Sequence, residues 1–379
     1  MSDNKINLAN SFNIIGQVIS IEPCGNGRIN KTFKIETIDN NNNKHEYILQ
    51  RINTNLFTNP KLLMNNIELV TDFVKECATK DGSDMDVLNI VKTNNGENYL
   101  EDTAGNAYRV YDYIKNSKSV DSCADNPALF CECGRIFGEF QNMLRDFDAS
   151  LLTETIPDFH NTQKRYNTFI EAIKNCKNIE RFYKAKETIK TYMQLAEKHH
   201  LPTIITSKLR NGTLPLRVTH NDTKLNNVAF DRNSNRALAV LDLDTVMPGA
   251  VCYDFGDAIR FGCNTEDEES TDFDNIQFNE NLFREYTKGY LSSAYNFLTD
   301  EEIESLHKGA MVMTFECGMR FLTDYLQDDV YFGAKYEDNN LNRAKNQVTY
   351  LQRLIEKEPT MLDIIHSELN DILENSNNK

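Results

Sequence analysis

An aspartate, an asparagine and a second aspartate stand at intervals that suit the transfer of a phosphoryl group. Asp222 and Asn227 belong to segment 220–227, and Asp242 follows the apolar run 237–241. Such a transfer needs a carboxylate that receives the proton of the acceptor hydroxyl, and an amide oxygen and a second carboxylate that hold Mg²⁺ against the nucleotide phosphates. The sequence therefore predicts Asp222 as the catalytic base and Asn227 and Asp242 as metal ligands.

The spacing of these residues is more informative than their types. His220, Asp222 and Asn227 fill every defined position of the loop pattern His-x-Asp-x-x-x-x-Asn, which places a base and a metal ligand on one short loop. Asp242 ends a strand-like run, where it could reach the same ion. We interpret His220 as a support of the loop, and Asp244 either as part of the metal shell or as a cap of the following turn.

A second match to a kinase metal motif lies further along the chain. Asp254, Phe255 and Gly256 spell the Asp-Phe-Gly motif of protein kinases. This motif does not directly end a long apolar strand, whereas Asp242 does. We therefore interpret Asp254 as a buried structural carboxylate that braces the catalytic loop.

The N-terminal quarter of the chain has the pattern of two hairpins. Gly25, Asn26 and Gly27 lie at the first turn, where small residues would let the backbone approach phosphate oxygens. A plain hairpin turn explains these residues equally well. Three segments alternate in strand character and are separated by turn residues: 14–21, 32–37 and 45–52.

Three polar residues near this sheet are candidates for a nucleotide site. Arg51 follows Gln50 on the third strand, where a kinase-like fold would place its phosphate-binding cation, and an exposed strand residue is the alternative interpretation. Glu68, on a helix predicted after Pro60, is the carboxylate available to orient Arg51. Asp112 lies at the strand between the lobes, where adenine would be read mainly by backbone groups.

The element pattern predicts an α+β fold with two lobes. Segments 87–93 and 108–114 return to strand character after the helix that follows Pro60, and helical periodicity dominates from Pro127 onward. A nucleotide cleft between a strand-rich lobe and a helical lobe is the simplest arrangement. We place the N-lobe at residues 1–114 and the catalytic C-lobe at residues 115–379.

A capping pattern over residues 299–302 predicts the start of a long helix that reaches Tyr325. Glu316, Arg320 and Asp324 share one face of this helix. On spacing alone, a series of charges four residues apart predicts a solvated surface.

Composition excludes several classes of protein. The 379 residues carry a formal net charge of -16, which disfavours a nucleic-acid partner because such partners need a basic surface. No apolar run is long enough to cross a bilayer, and the N-terminus lacks the pattern of a signal peptide, so we predict a cytoplasmic protein without a membrane partner. The nine cysteines lack the spacing of zinc ligands and are predicted to be reduced thiols.

With these motifs the chain resembles the aminoglycoside and choline kinase-like phosphotransferases and, within them, the bacterial N-acetylhexosamine 1-kinases. The resemblance implies a two-lobed fold similar to that of protein kinases, with a small antiparallel-sheet N-lobe and a larger, mainly helical C-lobe. It also implies ATP and Mg²⁺ as cofactors, and N-acetylglucosamine or N-acetylgalactosamine as an acceptor that is phosphorylated at its anomeric hydroxyl. Six segments carry the resemblance: 49–53, 220–227, 241–249, 253–262, 320–326 and 329–332.

The resemblance adds candidate contacts to the sugar. Arg320 and Tyr331 fall on positions that contact the sugar in this family, against the solvated surface that spacing alone predicts for Arg320. Asp324 is a weaker candidate for accepting a hydrogen bond from a sugar hydroxyl. Arg28 lies near the expected entrance to the sugar site and stands where we expect a histidine in relatives.

Two alternatives stay open. The first is another hydroxylated acceptor, such as an aminoglycoside, choline or another hexose. A cationic acceptor needs a strongly acidic pocket, which segment 266–269 could provide, although an exposed acidic loop is its simpler explanation. The second is a catalytically silent nucleotide-binding protein, and the intact Asp222, Asn227 and Asp242 argue against it. The sequence indicates neither the oligomeric state nor a preference between the two sugars.

Overall fold

An antiparallel sheet forms the N-terminal part of the molecule. A computed structural model describes residues 3–25 and 29–377. The strand order is β1-β2-β3-β6-β4, and β5 pairs with β6. Both predicted hairpins are confirmed, because β1 pairs antiparallel with β2 and β2 with β3. The strands are β1 (Gln17–Pro23), β2 (Lys31–Ile38), β3 (Lys44–Arg51), β4 (Ile90–Val91), β5 (Leu100–Glu101) and β6 (Ala107–Asp112).

The strand predicted over 87–93 was too long. Within this segment only β4 forms a regular strand, because the chain just before β4 turns toward the C-terminal part of the molecule. The backbone N–H of Asp86 donates to the carbonyl of Leu238 at 2.8 Å instead of pairing with β6. The strand predicted over 108–114 is present as β6, which is shifted slightly toward the N-terminus.

The two faces of this sheet pack against different apolar groups, because successive side chains of a strand point to opposite faces. Tyr47 and Leu49 of β3 belong to an outer cluster with Phe12, under the short helix α1 (Asp3–Ala9). Ile48, between them, packs against the main core. Gln50 therefore faces the main core and Arg51 faces the outer side.

The helix predicted after Pro60 is confirmed as α2 (Pro60–Asp81). The Asn59 side chain caps its first turn by accepting from the N–H of Leu62 at 3.2 Å, and Gly82 ends it with a left-handed φ of 68°. Its apolar stripe lies on the main core, with four predicted positions fully buried: Leu63, Ile67, Val70 and Val74.

Helices dominate the C-terminal part, as the sequence predicts. The capping box at Thr299 is present, with its side chain accepting from the N–H of Glu302. No helix in residues 3–25 and 29–377 is long and apolar enough to span a bilayer. The helices are α3 (Pro127–Met143), α4 (Thr162–Asn175), α5 (Ile179–His199), α6 (Thr206–Arg210), α7 (Val251–Gly262), α8 (Glu280–Ala294), α9 (Asp300–Leu326), α10 (Asn339–Glu356) and α11 (Glu358–Asn377).

Helices α7 and α9 approach each other closely through two glycines. A Cβ on Gly256 would lie 2.2 Å from the carbonyl carbon of Gly309, and a Cβ on Gly309 would lie 1.8 Å from the carbonyl oxygen of Cys252. The glycine of the Asp-Phe-Gly sequence is therefore a helix-packing residue. This contact fixes the position of Asp254, two residues earlier on α7.

Two small sheets hold the loops that carry Asp222, Asn227 and Asp242. The predicted boundary between residues 114 and 115 falls between β6 and β7, and it stays a prediction, because one apolar core runs from α2 into the C-terminal helices. One sheet has the order β10-β9-β7, and the other pairs β11 with β8. Their strands are β7 (Ser117–Lys118), β8 (Arg217–Thr219), β9 (Val228–Asp231), β10 (Ala237–Val240) and β11 (Met247–Gly249).

Candidate active site

The loop between β8 and β9 brings Asp222, Lys224 and Asn227 together. The Asn227 side-chain N–H₂ donates to the Asp222 carbonyl at 2.8 Å and to its carboxylate Oδ2 at 3.0 Å. The Lys224 ammonium lies 2.6 Å from the other carboxylate oxygen, Oδ1. Because Asn227 uses its amide hydrogens within the loop, its own Oδ1 is left to act as an acceptor or a ligand.

Lys224 is a residue of the site to which the sequence analysis assigned no role. Burial raises the pKa of Asp222, but the charge and hydrogen bond of Lys224 outweigh burial and hold that pKa below its ordinary value. The Asp222 carboxylate is therefore ionised at neutral pH. The position of Lys224, two residues after the predicted base in the same motif, was the signal available in the sequence.

Asp254 braces this loop from beneath, as the sequence predicts. It is 1% exposed, and its carboxylate accepts from the backbone N–H groups of His220 at 2.8 Å and Asn221 at 2.7 Å. Gln141 of α3 donates to the same carboxylate at 2.7 Å. A buried carboxylate with several N–H donors is well satisfied, so the structural interpretation of Asp254 is confirmed.

His220 also supports the loop rather than facing outward. Its Nδ1 lies 3.2 Å from the backbone N–H of Asp222, and its Nε2 lies 2.8 Å from the carbonyl oxygen of Leu241. Both bonds form together when Nε2 carries the proton and Nδ1 accepts. The imidazole therefore ties the loop to the end of β10, just before Asp242.

Asp242 has the features of a residue held in place for a cation. It adopts a left-handed backbone with φ 57°, which is uncommon outside glycine. Its buried Oδ1 has no hydrogen-bond partner among the residues that the structure describes. Burial and the neighbouring carboxylates of Asp244 and Asp222 together raise its pKa to about 7, against the opposing charges of Arg109 and Lys224.

Asn227 and Asp242 together fit Mg²⁺ in a nucleotide complex. Their amide and carboxylate oxygens are hard ligands, and Mg²⁺ is usually held by one or two carboxylates plus substrate phosphates and water. In keeping with such a sparse site, no group of three or more His, Cys, Asp or Glu side chains forms a metal cluster within the described ranges. The orphaned Asp242 oxygen and the raised pKa are the observations that favour a cation here.

Asp244 joins the metal-side turn to the N-terminal sheet, which is neither of the roles predicted for it. Its Oδ2 accepts from the Asn30 side chain at 2.6 Å, and its Oδ1 lies 2.5 Å from the Arg109 guanidinium. Gln50 accepts from Arg109 at 2.8 and 2.9 Å and so orients it. Arg109 is 1% exposed and is the buried cation on the main-core face of the sheet.

Arg51 and Glu68 are not brought together as the sequence suggested. Arg51 lies on the outer face of the sheet, where its Nη2 donates to the side chain of Asn106. Glu68 instead pairs with Lys92 and accepts from Asn98 at 2.6 Å. The expected Arg51–Glu68 pair is therefore wrong, and the placement of Arg51 does not favour a phosphate contact.

Two of the other residues predicted to bind nucleotide, Gly25 and Asp112, lie within the described ranges. Gly25 has a left-handed φ of 76° with open space where a Cβ would stand, as a glycine turn requires. Asp112 ends β6, and its carboxylate accepts from Asn89 at 2.6 Å. Three predicted residues lie outside the described ranges: Asn26, Gly27 and Arg28.

Arg320, near the C-terminal end of α9, lies beside Tyr331 of the following segment, and their contact with a sugar stays a prediction. The guanidinium donates to the Tyr331 hydroxyl at 3.2 Å. It is also within 5.3 to 5.6 Å of three ring centroids, those of Phe159, Tyr331 and Phe332. The result is a half-buried cation among aromatic faces.

The solvated surface predicted for this face of α9 was wrong. Glu316 is 1% exposed and Asp324 is 3% exposed. The Asp324 carboxylate accepts from the backbone N–H of Tyr331 at 2.7 Å and of Phe332 at 2.9 Å. Asp324 therefore positions the segment that carries Tyr331, and its oxygens are occupied by protein donors.

The acidic segment 266–269 is not the exposed loop that its composition suggested. Glu268 lies 2.9 Å from Arg260 and 2.5 Å from Arg343. Burial raises its pKa, but these two arginines lower it to about 2 overall. Glu269 pairs with Lys335 at 2.5 Å, so two of the four acidic residues of the segment are paired with cations.

Several solved structures have a fold similar to that of this chain. A microcompartment-associated aminopropanol kinase matches with 13% identity over 94% of this chain and 98% of its own, at a TM-score of 0.56. The amicoumacin kinase hAmiN, in complex with AMP-PNP, Ca²⁺ and Ami, matches with 14% identity over 92% and 93%, also at 0.56. A choline kinase from Cryptosporidium parvum Iowa II matches with 15% identity over 97% and 99%, at 0.55.

Those likenesses are low in sequence and describe the fold, which is the two-lobed kinase-like α+β fold that the sequence predicts. The family assignment comes from the sequence itself. Residues 20–295, most of the chain, match the phosphotransferase enzyme family, and they include the catalytic loop and Asp242. This protein belongs to the phosphotransferase enzyme family.

Proposed function

We propose that the protein is an ATP- and Mg²⁺-dependent kinase that phosphorylates the anomeric hydroxyl of an N-acetylhexosamine. One observation carries the catalytic part of this proposal. Asp222 and Asn227 are joined by hydrogen bonds on one loop. Asp242, on the turn to which that loop is tied, keeps a buried oxygen that has no hydrogen-bond partner within residues 3–25 and 29–377. A base and two oxygen ligands in this order are the parts that phosphoryl transfer needs.

Each residue has a definite role in this mechanism. The ionised Asp222 accepts a hydrogen bond from the attacking hydroxyl and receives its proton late, since the transition state is loose and orientation matters more than basicity. Asn227 and Lys224 hold the carboxylate in one orientation. When bound, Mg²⁺ would neutralise charge on the phosphate oxygens, held by Asn227 and Asp242.

The charges near the C-terminal end of α9 support a neutral acceptor. Arg320 places a positive charge against aromatic rings, and such a group repels an ammonium. In segment 266–269, which could have attracted a cation, Glu268 and Glu269 are already paired with three basic side chains: Arg260, Arg343 and Lys335. A sugar suits this site better than choline or an aminoglycoside, because guanidinium groups donate to hydroxyls and aromatic faces pack on sugar C–H groups.

The anomeric hydroxyl is the chemically reasonable target within such a sugar. The ring oxygen makes it more acidic than an ordinary alcohol, so a carboxylate of depressed pKa such as Asp222 is a sufficient base. The resemblance of segments 220–227 and 320–332 to N-acetylhexosamine 1-kinases supports the same choice.

The test is ADP release from Mg·ATP with N-acetylglucosamine and with N-acetylgalactosamine, followed by phosphorus NMR of the product. A phosphorus signal coupled to an anomeric proton is the expected result. The Asp222→Asn variant, which keeps the size of the side chain, serves as the inactive control. Turnover with choline or kanamycin and none with either sugar would reject the sugar and keep the kinase.

A catalytically silent nucleotide-binding protein is the competing outcome of the same experiment. It predicts that Mg·ATP binds, as measured by calorimetry, while a panel of sugars, amino alcohols and aminoglycosides gives no ADP above the Asp222→Asn background. The ionised Asp222 and its two hydrogen-bonded neighbours argue against this outcome.

A further inference from the structure

His160 joins helix α9 to the catalytic loop. It lies in the connection before α4, and its side chain is only 7% exposed. Its Nδ1 is 2.8 Å from the carboxylate Oε1 of Glu316 on α9. Its Nε2 is 3.4 Å from the carbonyl oxygen of Asn221, the residue just before Asp222. No local sequence pattern indicates this link, because 156 residues separate His160 from Glu316.

Both partners of the imidazole are acceptors. A carboxylate oxygen and a backbone carbonyl oxygen have no hydrogen to give, so both bonds require both ring nitrogens to donate. The His160 ring therefore lies between the Glu316 carboxylate and the Asn221 carbonyl. Thr162 supports it by donating its hydroxyl to the other Glu316 oxygen at 2.7 Å.

Asn221 is a residue whose backbone needs such support. It has a left-handed φ of 64°, a conformation that is uncommon outside glycine, although asparagine adopts it more readily than most residues. Its N–H is held by Asp254 and its side chain by Thr219 and Thr245. His160 is the group that reaches its carbonyl oxygen, on the side that leads directly into Asp222.

The same link reaches the acceptor side. Glu316 and Arg320 are one helical turn apart and lie on the same face of α9. Phe159, next to His160 in the chain, packs against the His160 ring in a tilted arrangement with centroids 4.3 Å apart, and its ring centroid lies 5.4 Å from the Arg320 guanidinium. A displacement of His160 would therefore shift the positions of both Asp222 and Arg320.

We propose that His160 is a positioning residue that sets the catalytic loop relative to the acceptor-side end of α9. This inference rests on the proposed roles of Asp222 and Arg320. The alternative is that the His160–Glu316 pair only stabilises the fold. The two differ in what they predict for a folded variant: a positioning role changes turnover and the KM for the acceptor, whereas a purely structural role changes the melting temperature alone.

The first test is His160→Ala with added imidazole. His160 and Asn221 line a solvent-open cavity of about 240 Å³, through which imidazole could enter. We expect kcat to fall about 30-fold and the acceptor KM to rise, with the KM for ATP unchanged, since a small misplacement of catalytic groups is costly. Imidazole should restore part of kcat. His366→Ala is the matched control, because His366 pairs with Glu304 on the exposed surface.

Three results would overturn the proposal. They are an unchanged kcat and acceptor KM in folded His160→Ala, a loss confined to the KM for ATP, or no response of kcat to imidazole. Glu316→Gln is the second variant if His160→Ala does not fold. It removes the charge that faces His160, and it should lower kcat about threefold to tenfold while unchanged kinetics would contradict the proposal.

A failure of the proposed function gives a different pattern. If wild type turns over neither sugar, the comparison is made with whichever acceptor is turned over or, without one, with the slow hydrolysis of Mg·ATP by water. That hydrolysis still depends on the catalytic loop, so His160→Ala should lower it as well. A wild-type rate that His160→Ala leaves unchanged counts against the positioning role whatever the acceptor.

Discussion

Asp242 and Asp254 lie in two regions of the molecule and differ in how fully their carboxylates are hydrogen-bonded. On α7, Asp254 receives hydrogen bonds from two backbone N–H groups and from Gln141. On the turn after β10, Asp242 keeps a buried oxygen without a partner in the described part of the chain. The satisfied carboxylate holds the loop, and the unsatisfied one is available to a ligand. Hydrogen-bond satisfaction thus separates two roles that the motif Asp-Phe-Gly alone would have confused.

The electrostatics of the two aspartates agree with this division. Burial raises the pKa of both. At Asp254, His220 and the backbone donors oppose burial. At Asp242, the neighbouring carboxylates of Asp244 and Asp222 act in the same direction as burial, which leaves its pKa at about 7. A divalent cation would relieve this repulsion, so the strain at Asp242 favours metal binding.

The largest expected effect is that of Asp242→Asn on turnover. The substitution removes the charged ligand and should lower kcat by about 1000-fold, because charge stabilisation by the metal contributes several kcal/mol. The melting temperature of the metal-free protein should not fall, since a repulsive buried charge has been removed. Steady-state kinetics and thermal unfolding of the same preparations measure both. If the variant keeps more than a tenth of wild-type kcat, Asp242 is not an essential metal ligand and the contrast with Asp254 fails.

Asp254→Asn should show the reverse pattern. One amide oxygen cannot replace a carboxylate that accepts from three groups, and the new N–H₂ would face other donors, so the free energy of unfolding should fall by about 2 kcal/mol. Activity per folded molecule should fall much less than in Asp242→Asn. Chemical denaturation and active-site titration separate the two quantities. Equal stability losses in both variants would mean that the distinction between the two aspartates is wrong.

The raised pKa of Asp242 should be visible in the pH dependence of stability, and this measurement needs no acceptor substrate. Its pKa is raised from an ordinary 3.8 to about 7, so the folded state binds the proton more tightly than the unfolded state. This stabilising contribution is complete below about pH 3.8 and is lost as the pH rises through about 7. In EDTA, the melting temperature of wild type relative to Asp242→Asn should therefore decline between these limits and then level off.

Magnesium should reverse this trend in the wild type only. Binding requires the ionised carboxylate, so Mg·ADP should raise the melting temperature more at about pH 8 than at about pH 5.5. Asp242→Asn should lose most of that increment. A wild-type increment that does not depend on pH would show that Asp242 is already ionised without the metal.

Local patterns in the sequence were sufficient to predict the position of the loop that carries Asp222 and Asn227. Asp222 and Asn227, the predicted base and the predicted amide ligand, are five residues apart on one loop. Their spacing alone predicts that they lie close together, and the structure joins them by a hydrogen bond. The α2 periodicity and the Thr299 capping box are local in the same sense, and both are confirmed. Even the brace at Asp254 could be inferred, because the competing strand-end position was already filled by Asp242.

Long-range pairings could not be inferred in this way. The partner of Glu68 is Lys92 rather than Arg51, and the partner of Asp244 is Arg109. Both depend on strand register, and a shift of one residue moves a side chain to the other face of a sheet. Glu316 was expected on a solvated face because its partners, His160 and Thr162, come from a distant connection.

The smallest expected effect, that of Arg51→Gln, tests the register argument. Arg51 faces the outer side of the sheet and donates to Asn106, whereas Gln50, its neighbour, orients Arg109 toward Asp244. The substitution should change stability by no more than about 0.5 kcal/mol and the KM for ATP by no more than about twofold. Kinetics at varied ATP measure this. A tenfold rise in KM would place Arg51 at the phosphates after all, through a movement of the N-terminal sheet when nucleotide binds.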